Sequence, residues 1–375
     1  MLPWYERTVD RFFVGCNRLL SSDRFRRWAA AFPLTRPIAR RRARDIFDLC
    51  AGFVYSQILY ACVRLDLFGI LSEGPQTLAA LSVRLGLTPE AADRLLLAAV
   101  ALKLVVPASN GRYRLGPLGA PLVGNRAITA MVEHHALLYA DLRDPVALLR
   151  GQAPETALGA YWPYAAAKEP SAISATTSTA YSELMSASQP LVAEEILTAY
   201  AFEKHRRLLD IGGGEGGFLA SVAKKVPGLN LMLFDLPAVA ERARARFEAL
   251  GLGQRAEAFG GSFLSDPLPQ GADLATLVRV VHDHDDDSVR ALLRAVRKAL
   301  SSGGVLLIAE PMSETPGAEP VGDAYFGFYL LAMGRGRPRS VRRLSELLLE
   351  AGFADPTVLP TLMPLQTSVL RAVVP

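Results

Sequence analysis

The stretch Leu208–Gly217, LLDIGGGEGG, decides how the chain is read. Apolar LLDI (208–211) runs straight into Gly212, Gly213, Gly214 and Gly216, and a helical pattern covers 215–226. That order spells a buried strand, a tight turn and a helix. Glycine is the residue that turns sharply and lets another group approach the backbone closely. Two acids frame the turn. Asp210 precedes it, and Asp235 follows about 20 residues beyond, at the end of the next apolar run.

Outward from this stretch, strand and helix patterns alternate. Strands are expected at 208–211, 229–235, 255–259, 273–281 and 305–310, and helices at 215–226, 238–250, 287–300 and 340–351. Such alternation builds an α/β fold, a doubly wound parallel sheet. After the last helix, two strand-like runs, Pro356–Thr361 and Thr367–Val374, follow with only a short loop between them. They read as a terminal β-hairpin that adds an antiparallel strand.

A glycine-rich loop alone serves NAD, FAD and S-adenosylmethionine (SAM) sites alike. Three features favour SAM. Asp210 is placed to meet a charged amino group, Asp235 to meet a ribose diol, and the hairpin is an ending that dinucleotide-binding domains usually lack. Gly261, Ser262 and Phe263 follow the third strand, where they could flank an adenine. Arg279 sits near the end of the fourth strand, either solvated or closing the cleft.

His282 follows in VVHDHDDD (280–287). Ligands in open α/β sheets bind outside the carboxyl ends of the strands, so a histidine there is placed to act as a base. The acids 285–287 can cap the following helix. A metal site from His282, Asp283 and His284 lacks an obvious further ligand, and no metal is expected. Glu310 ends the fifth strand and could accept the second imidazole N–H of His282; the alternative is a solvated strand end. His134 and His135 are adjacent on a helical run, where neighbours diverge, so they are not read as joint ligands.

The chain of 375 residues is half hydrophobic with a net charge of +4, which describes a folded protein of about two domains and implies no nucleic-acid partner by itself. Cys16, Cys50 and Cys62 form no even framework, which fits a reduced, cytoplasmic setting. The uncharged run Leu49–Val63 falls short of the ~20 residues a bilayer span needs and reads as a buried helix.

Residues 1–44 form a basic aromatic arm, with eleven arginines against Glu6, Asp10 and Asp23. It is read as a helical arm against a partner subunit or as a contact with an anionic membrane surface. Residues 45–124 have the helix–helix–helix–hairpin order of a winged helix. Thr77 and Thr88 are placed as helix caps, Pro89 at a first helical position, and Asn110-Gly111 as the hairpin turn. Glu90, Asp93 and Arg94 are the only charges on its second helix, too few cations for phosphate contacts. Residues 125–200 read as a helical linker lining the site, and 201–375 as the cofactor domain.

LLDIGGGEG, FDLP (234–237), VRVVHDHDD and the strand ending IAEP resemble the plant-type and hydroxyindole-type SAM-dependent O-methyltransferases. The resemblance implies an N-terminal winged-helix dimerisation domain, a homodimer, and a C-terminal Rossmann-like SAM domain with S-adenosylhomocysteine as product. It implies cofactor binding by Gly212, Asp235, Ser262, Phe263 and Arg279; Asp210, Gly213, Gly214, Leu236 and Gly261, beside them in sequence, are read as cofactor contacts too. It implies His282 as general base, with Glu310 beside it, and Met185 and Gln189 along the acceptor pocket, where Tyr181 at the start of the same segment is read as well. Three departures stand out. His284 replaces the family's tryptophan, Ser262 an adenine-contacting acid, and Pro338 falls where a second glutamate flanks the base.

Within that family, FPLTRPIARRRAR (32–44) and FDLCAGFVYSQILYACVRLDLF (47–68) look most like the purple-bacterial carotenoid O-methyltransferases. These methylate the tertiary 1-hydroxyl of acyclic carotenoids such as demethylspheroidene and hydroxyneurosporene. A lipophilic acceptor and a peripheral place on the inner photosynthetic membrane follow as expectations. A phenol or polyketide O-methyltransferase, a C-methyltransferase of a bacteriochlorophyll precursor, and a DNA-binding regulator are the competing readings.

Overall fold

The structure is a computed structural model. It describes the backbone of residues 4–161 and 179–375 and the side chains of 9–160 and 188–375. The chain divides after Gly124 into two compact units.

The first unit opens with three helices, α1 (Trp4–Ser21), α2 (Asp23–Ala31) and α3 (Arg36–Arg64). Pro37 sits in the first turn of α3, where its missing N–H costs nothing. Helix α3 runs through the boundary expected at 44. It is not the buried helix expected from Leu49–Val63. Cys62 is its one buried residue, and Ile58, Leu59 and Val63 pack beside it in the core, whereas Ile46, Phe47, Leu49 and Phe53 are exposed. One face of α3 therefore belongs to the unit's core and the other is open in the single chain. Arg64 ends the helix, and Gly69 lies inside a separate short helix, α4 (Leu67–Ser72).

Beyond α4, β1 (Gln76–Thr77) leads into α5 (Leu78–Leu85), and α6 (Pro89–Ala101) follows. Thr77 and Thr88 accept the amide protons of Ala80 and Ala91, both at 3.2 Å. Arg94 on α6 pairs with Glu90 at 3.2 Å, and Ala92, Leu96 and Ala99 are buried. Strands β2 (Val105–Ala108) and β3 (Arg112–Leu115) complete a three-stranded sheet in the order β1-β3-β2. Ala108 pairs with Arg112, so the connection is the three residues Ser109–Gly111 rather than a two-residue turn.

The second unit, from Asn125, takes in the residues read as a linker. The helix Thr179–Ala199 packs on Arg126–Asp141 and on Gly217–Lys225. Its sheet has seven strands: β4 (Arg207–Ile211), β5 (Asn230–Asp235), β6 (Ala256–Gly260), β7 (Ala272–Val278), β8 (Leu300–Glu310), β9 (Ala354–Leu359) and β10 (Ser368–Val373). Their order is β6-β5-β4-β7-β8-β10-β9. All neighbours are parallel up to β8, and β10 runs antiparallel to both β8 and β9.

Alternate residues feed two cores, one on each face of the sheet. Leu209, Ile211, Leu277 and Ile308 enter one, and Leu208, Leu231, Leu274 and Leu307 enter the other. The carboxyl ends of β4, β5, β7 and β8 therefore lie side by side, and the chemistry-bearing residues gather there.

Candidate active site

Strand β4 ends in the turn that opens the site. Gly212 has φ of +68°, and a Cβ there would come within 2.7 Å of the Val280 side chain, so only glycine fits. The Gly214 amide donates to Asp235 Oδ2 at 2.8 Å, and the Leu236 amide donates to Oδ1 at 2.7 Å. The half-buried Asp235 carboxylate thus closes the glycine turn and keeps lone pairs for a ligand diol. Burial pushes its pKa up, against the pull of those two amides.

Asp210 is buried at 1% exposure, and Thr276 Oγ1 donates to its Oδ1 at 2.6 Å. Its Oδ2 is buried with no hydrogen-bond partner. Burial pushes this carboxyl up to about 7, with the Thr276 hydrogen bond opposing. An orphaned carboxylate oxygen beside the glycine turn is an unmet demand for a cation, which the ammonium of SAM would meet. The residues present therefore fit the adenosyl donor: Asp210 for its amino group, Asp235 for its ribose, and the turn for its backbone contacts.

The third-strand loop also lies here. Gly261 donates to the Asp235 carbonyl at 2.9 Å, and Asp266 Oδ2 accepts the Ser262 amide at 2.7 Å. An acid thus does reach this loop, four residues beyond the position where the family places one. Phe263 packs edge-on against His284, with centroids 5.2 Å apart at 87°. His284 is spent on that contact rather than turned toward a shared metal position with His282. Among the described residues no cluster of His, Cys, Asp or Glu could hold a metal ion.

Strand β7 stops at Val278, earlier than its apolar run suggests, because Arg279 turns into the left-handed region at φ of +56°. For a non-glycine residue that conformation costs about 1–3 kcal/mol and recurs at functional sites. The turn aims the guanidinium at the helix Thr179–Ala199. Nη1 donates to Ser188 Oγ at 2.8 Å and Nη2 to Gln189 Oε1. Arg279 thereby ties the cleft to the pocket segment expected from the sequence. The Tyr181 and Met185 side chains lie outside the described ones.

His282 lies on a single turn of 3₁₀ helix, Val281–Asp283, and is 5% exposed. Its relation to Glu310 differs from expectation. Glu310 Oε2 accepts the backbone N–H of His282 at 3.0 Å and stands 3.8 Å from ring Nδ1, beyond hydrogen-bond reach. The early end of β7 puts the amide, rather than the ring, opposite the carboxylate. Nε2 is 3.2 Å from Asp283 Oδ1, out of line for a hydrogen bond but close enough for charge attraction. Burial pushes the His282 pKa down; Asp283 and Glu310 outweigh it and leave the imidazole above its ordinary value. Nδ1 is buried on the Glu310 side without a hydrogen-bond partner. Phe326 covers one ring face, its centroid 5.8 Å away and its plane tilted 25°.

The segment Gly334–Ser340 straps this turn from behind. Arg337 N–H donates to the His282 carbonyl at 2.8 Å, and a Cβ on Gly336 would overlap that same oxygen. Arg339 is 2% exposed. Its guanidinium donates to the carbonyls of Val281 at 2.9 Å and His284 at 2.6 Å, and to Asp286 at 2.9 Å. Arg337 and Arg343 reach Asp286 too, at 3.1 and 2.8 Å. Where the family places a second acid beside its base, this chain thus has an arginine clamp. Of the three acids read as caps, Asp285 caps, Asp286 anchors the arginines, and the exposed Asp287 pairs with Arg290.

His134 and His135 each take a tyrosine hydroxyl, from Tyr329 and Tyr325, both at 2.7 Å. Tyr325 in turn packs perpendicular to Phe326 at 5.0 Å. A wall of rings therefore runs from this histidine pair to the ring over His282. Sequence reasoning missed Thr276, Asp283 as the nearest acid, Phe326, and Arg339 with Asp286. The signal for the last pair was present: an acidic run at 283–287 and a basic run at 335–343, complementary in charge.

A seven-stranded sheet with one reversed strand and an acid-lined glycine turn define a SAM-dependent methyltransferase. The O-methyltransferase domain family model matches residues 139–354, and the O-methyltransferase dimerisation domain matches 47–125. The chain belongs to the O-methyltransferase family, and its dimerisation domain supports a homodimer. Demethylspheroidene O-methyltransferase of Cereibacter sphaeroides is 44% identical, over 96% of this chain and 94% of that one. Acetylserotonin O-methyltransferase of Mus musculus is 31% identical, over 85% and 86%. The SAH-bound methyltransferase of calicheamicin biosynthesis superposes with a TM-score of 0.71 at 25% identity, over 89% of this chain and 98% of that one.

Proposed function

We propose that this chain methylates the tertiary 1-hydroxyl of an acyclic hydroxycarotenoid of the demethylspheroidene type. One observation carries the reading: 44% identity to a demethylspheroidene O-methyltransferase across nearly the whole of both chains. The ring wall of Tyr325, Phe326 and Tyr329 fits it, because the hydroxyls of Tyr325 and Tyr329 are taken up by His135 and His134. Such a wall offers a hydrocarbon its ring faces.

Bound SAM supplies an electrophilic methyl. Asp210, Asp235 and the glycine turn hold it, and Arg279 anchors the adjoining helix. His282 takes the proton of the acceptor hydroxyl at Nε2, the ring nitrogen that is not sealed in the interior, as the oxygen–methyl bond forms and the sulfur–methyl bond of the donor breaks, and later returns it to solvent. Histidine is a far weaker base than an alkoxide, so proton transfer accompanies bond formation. General base catalysis is worth about 10²–10⁴-fold, and alignment in a dry site supplies much of the rest. A lipid-soluble acceptor fits an enzyme that works peripherally at the photosynthetic membrane.

Purified protein incubated with deuterium-labelled SAM and a pigment extract tests this reading. Mass analysis should find the label on the 1-methoxy group of an acyclic carotenoid. Label on a phenol, or on a tetrapyrrole carbon, would replace it with one of the competing readings.

A further inference from the structure

The arm formed by α1, α2 and the start of α3 is built unlike the rest of the chain. On α1, Val9, Phe12, Phe13, Cys16, Leu19 and Leu20 recur at the spacing of one helical face. Arg11 and Arg18 project from the opposite side. Phe12 and Phe13 are 67% and 57% exposed, so this apolar stripe faces away from the unit's core. Along α2 and its C-cap, Phe25, Trp28 and Phe32 form a second ridge, with ring centroids 5.6 and 5.2 Å apart along it. Arg24 and Arg27, and Arg40–Arg42 on α3, are exposed around these ridges.

We infer that this arm docks the enzyme on an anionic lipid surface, with the two ridges in the acyl boundary and the arginines on headgroup phosphates. The inference rests on the lipophilic acceptor proposed above and names the surface from which that acceptor is met. An amphipathic helix with one apolar face and a cationic opposite face lies in the plane of a bilayer in this way.

Two observations favour a lipid over a second copy of the chain. Residues 1–44 carry eleven arginines and three acids, so an arm-to-arm contact would oppose two strongly cationic surfaces. The dimerisation domain begins only at residue 47, after the arm. Only the C-terminal end of α3 is committed elsewhere, while Ile46, Phe47, Leu49 and Phe53 stay exposed beside the arm. Ile58, Leu59, Cys62 and Val63 are committed to the core of the first unit.

The test is co-sedimentation of the full chain with vesicles, read alongside methyl transfer to detergent-dispersed acceptor. The wild type should bind phosphatidylcholine vesicles containing phosphatidylglycerol at least tenfold more tightly than phosphatidylcholine alone, and salt should weaken that binding. Phe12→Ser with Phe13→Ser, and separately Arg40→Gln with Arg41→Gln and Arg42→Gln, should each lose at least tenfold in binding. Both should keep the wild-type rate on dispersed acceptor. Equal binding to neutral and anionic vesicles, or variants that bind like the wild type, would overturn the inference. So would variants that shift the oligomeric state and leave vesicle binding intact, since the arm would then cover a second copy. Vesicle binding without methylation of dispersed carotenoid would instead defeat the proposed acceptor.

Discussion

His282 Nε2 stands 3.2 Å from Asp283 Oδ1, closer than either ring nitrogen comes to Glu310. The nearest acid to the base is therefore its own sequence neighbour, and the rate should follow its charge. Burial pulls the His282 pKa down, and the two carboxylates more than offset it, leaving it above the ordinary 6.5. A general base works only when neutral, so kcat should rise with pH through an apparent pKa above 6.5. Asp283→Asn removes one raising charge and should move that limb to lower pH. A pH–rate profile of both proteins checks it, and coincident limbs would remove Asp283 from the account.

The arginine clamp should set how well the His282 turn is held. Removing one partner of a buried ion pair costs about 3–5 kcal/mol. Arg339→Met should therefore lower stability by about 3 kcal/mol and reduce kcat. The dissociation constant for S-adenosylhomocysteine should change little, because Asp210 and Asp235 are untouched. Arg339→Lys, which keeps the charge but not the fork, should recover stability better than it recovers kcat. Asp286 is partly buried, which opposes its ionisation, yet Arg343, Arg339 and Arg337 hold it well below the usual carboxylate range. Its contribution is present above a pH of about 3.9 and is lost as the pH falls through its lower folded value.

Acid should loosen the histidine wall earlier. Burial, with His135 adding to it, lowers His134 to about 4. A histidine kept neutral in the fold and free to charge in the unfolded chain costs stability as pH falls. The loss begins near 6.5 and is complete near 4. At pH 5 it amounts to about 2 kcal/mol on the linkage relation. Denaturant melts at pH 7 and pH 5 should show this gap, and His134→Phe should narrow it.

Cofactor affinity should also depend on pH. Burial raises Asp210 to about 7, and a cationic amino group needs it ionised. Affinity for S-adenosylhomocysteine should thus increase as pH rises through about 7, with proton release on binding at lower pH. Calorimetry at pH 6 and pH 8 measures both. Asp210→Asn should bind more weakly and lose the pH dependence.

The parallel sheet was legible because strands buried on both faces read as apolar runs, and the glycine turn because few other residues fit it. Thr77 and Thr88 announced their helices because a cap is a local event. What escaped was non-local or depended on backbone angle. Nothing in the run DLATLVRVV shows that Arg279 leaves the strand, yet that departure decides which atom of His282 meets Glu310. The clamp joins residues more than 50 positions apart, Arg339 and Asp286. Thr276 is an ordinary strand residue until the fold sets it against Asp210. The exposed face of α3 is not legible because an uncharged run shows length and polarity, not which of its sides finds a core to pack against.

The most direct test of the central claim compares wild type with His282→Ala, measuring labelled methyl transfer to a 1-hydroxycarotenoid and S-adenosylhomocysteine binding on the same preparations. The account predicts a loss of at least about 100-fold in turnover, the low end of general base catalysis, with the dissociation constant unchanged. Turnover within a few-fold of wild type would show that imidazole 282 does not take the acceptor's proton.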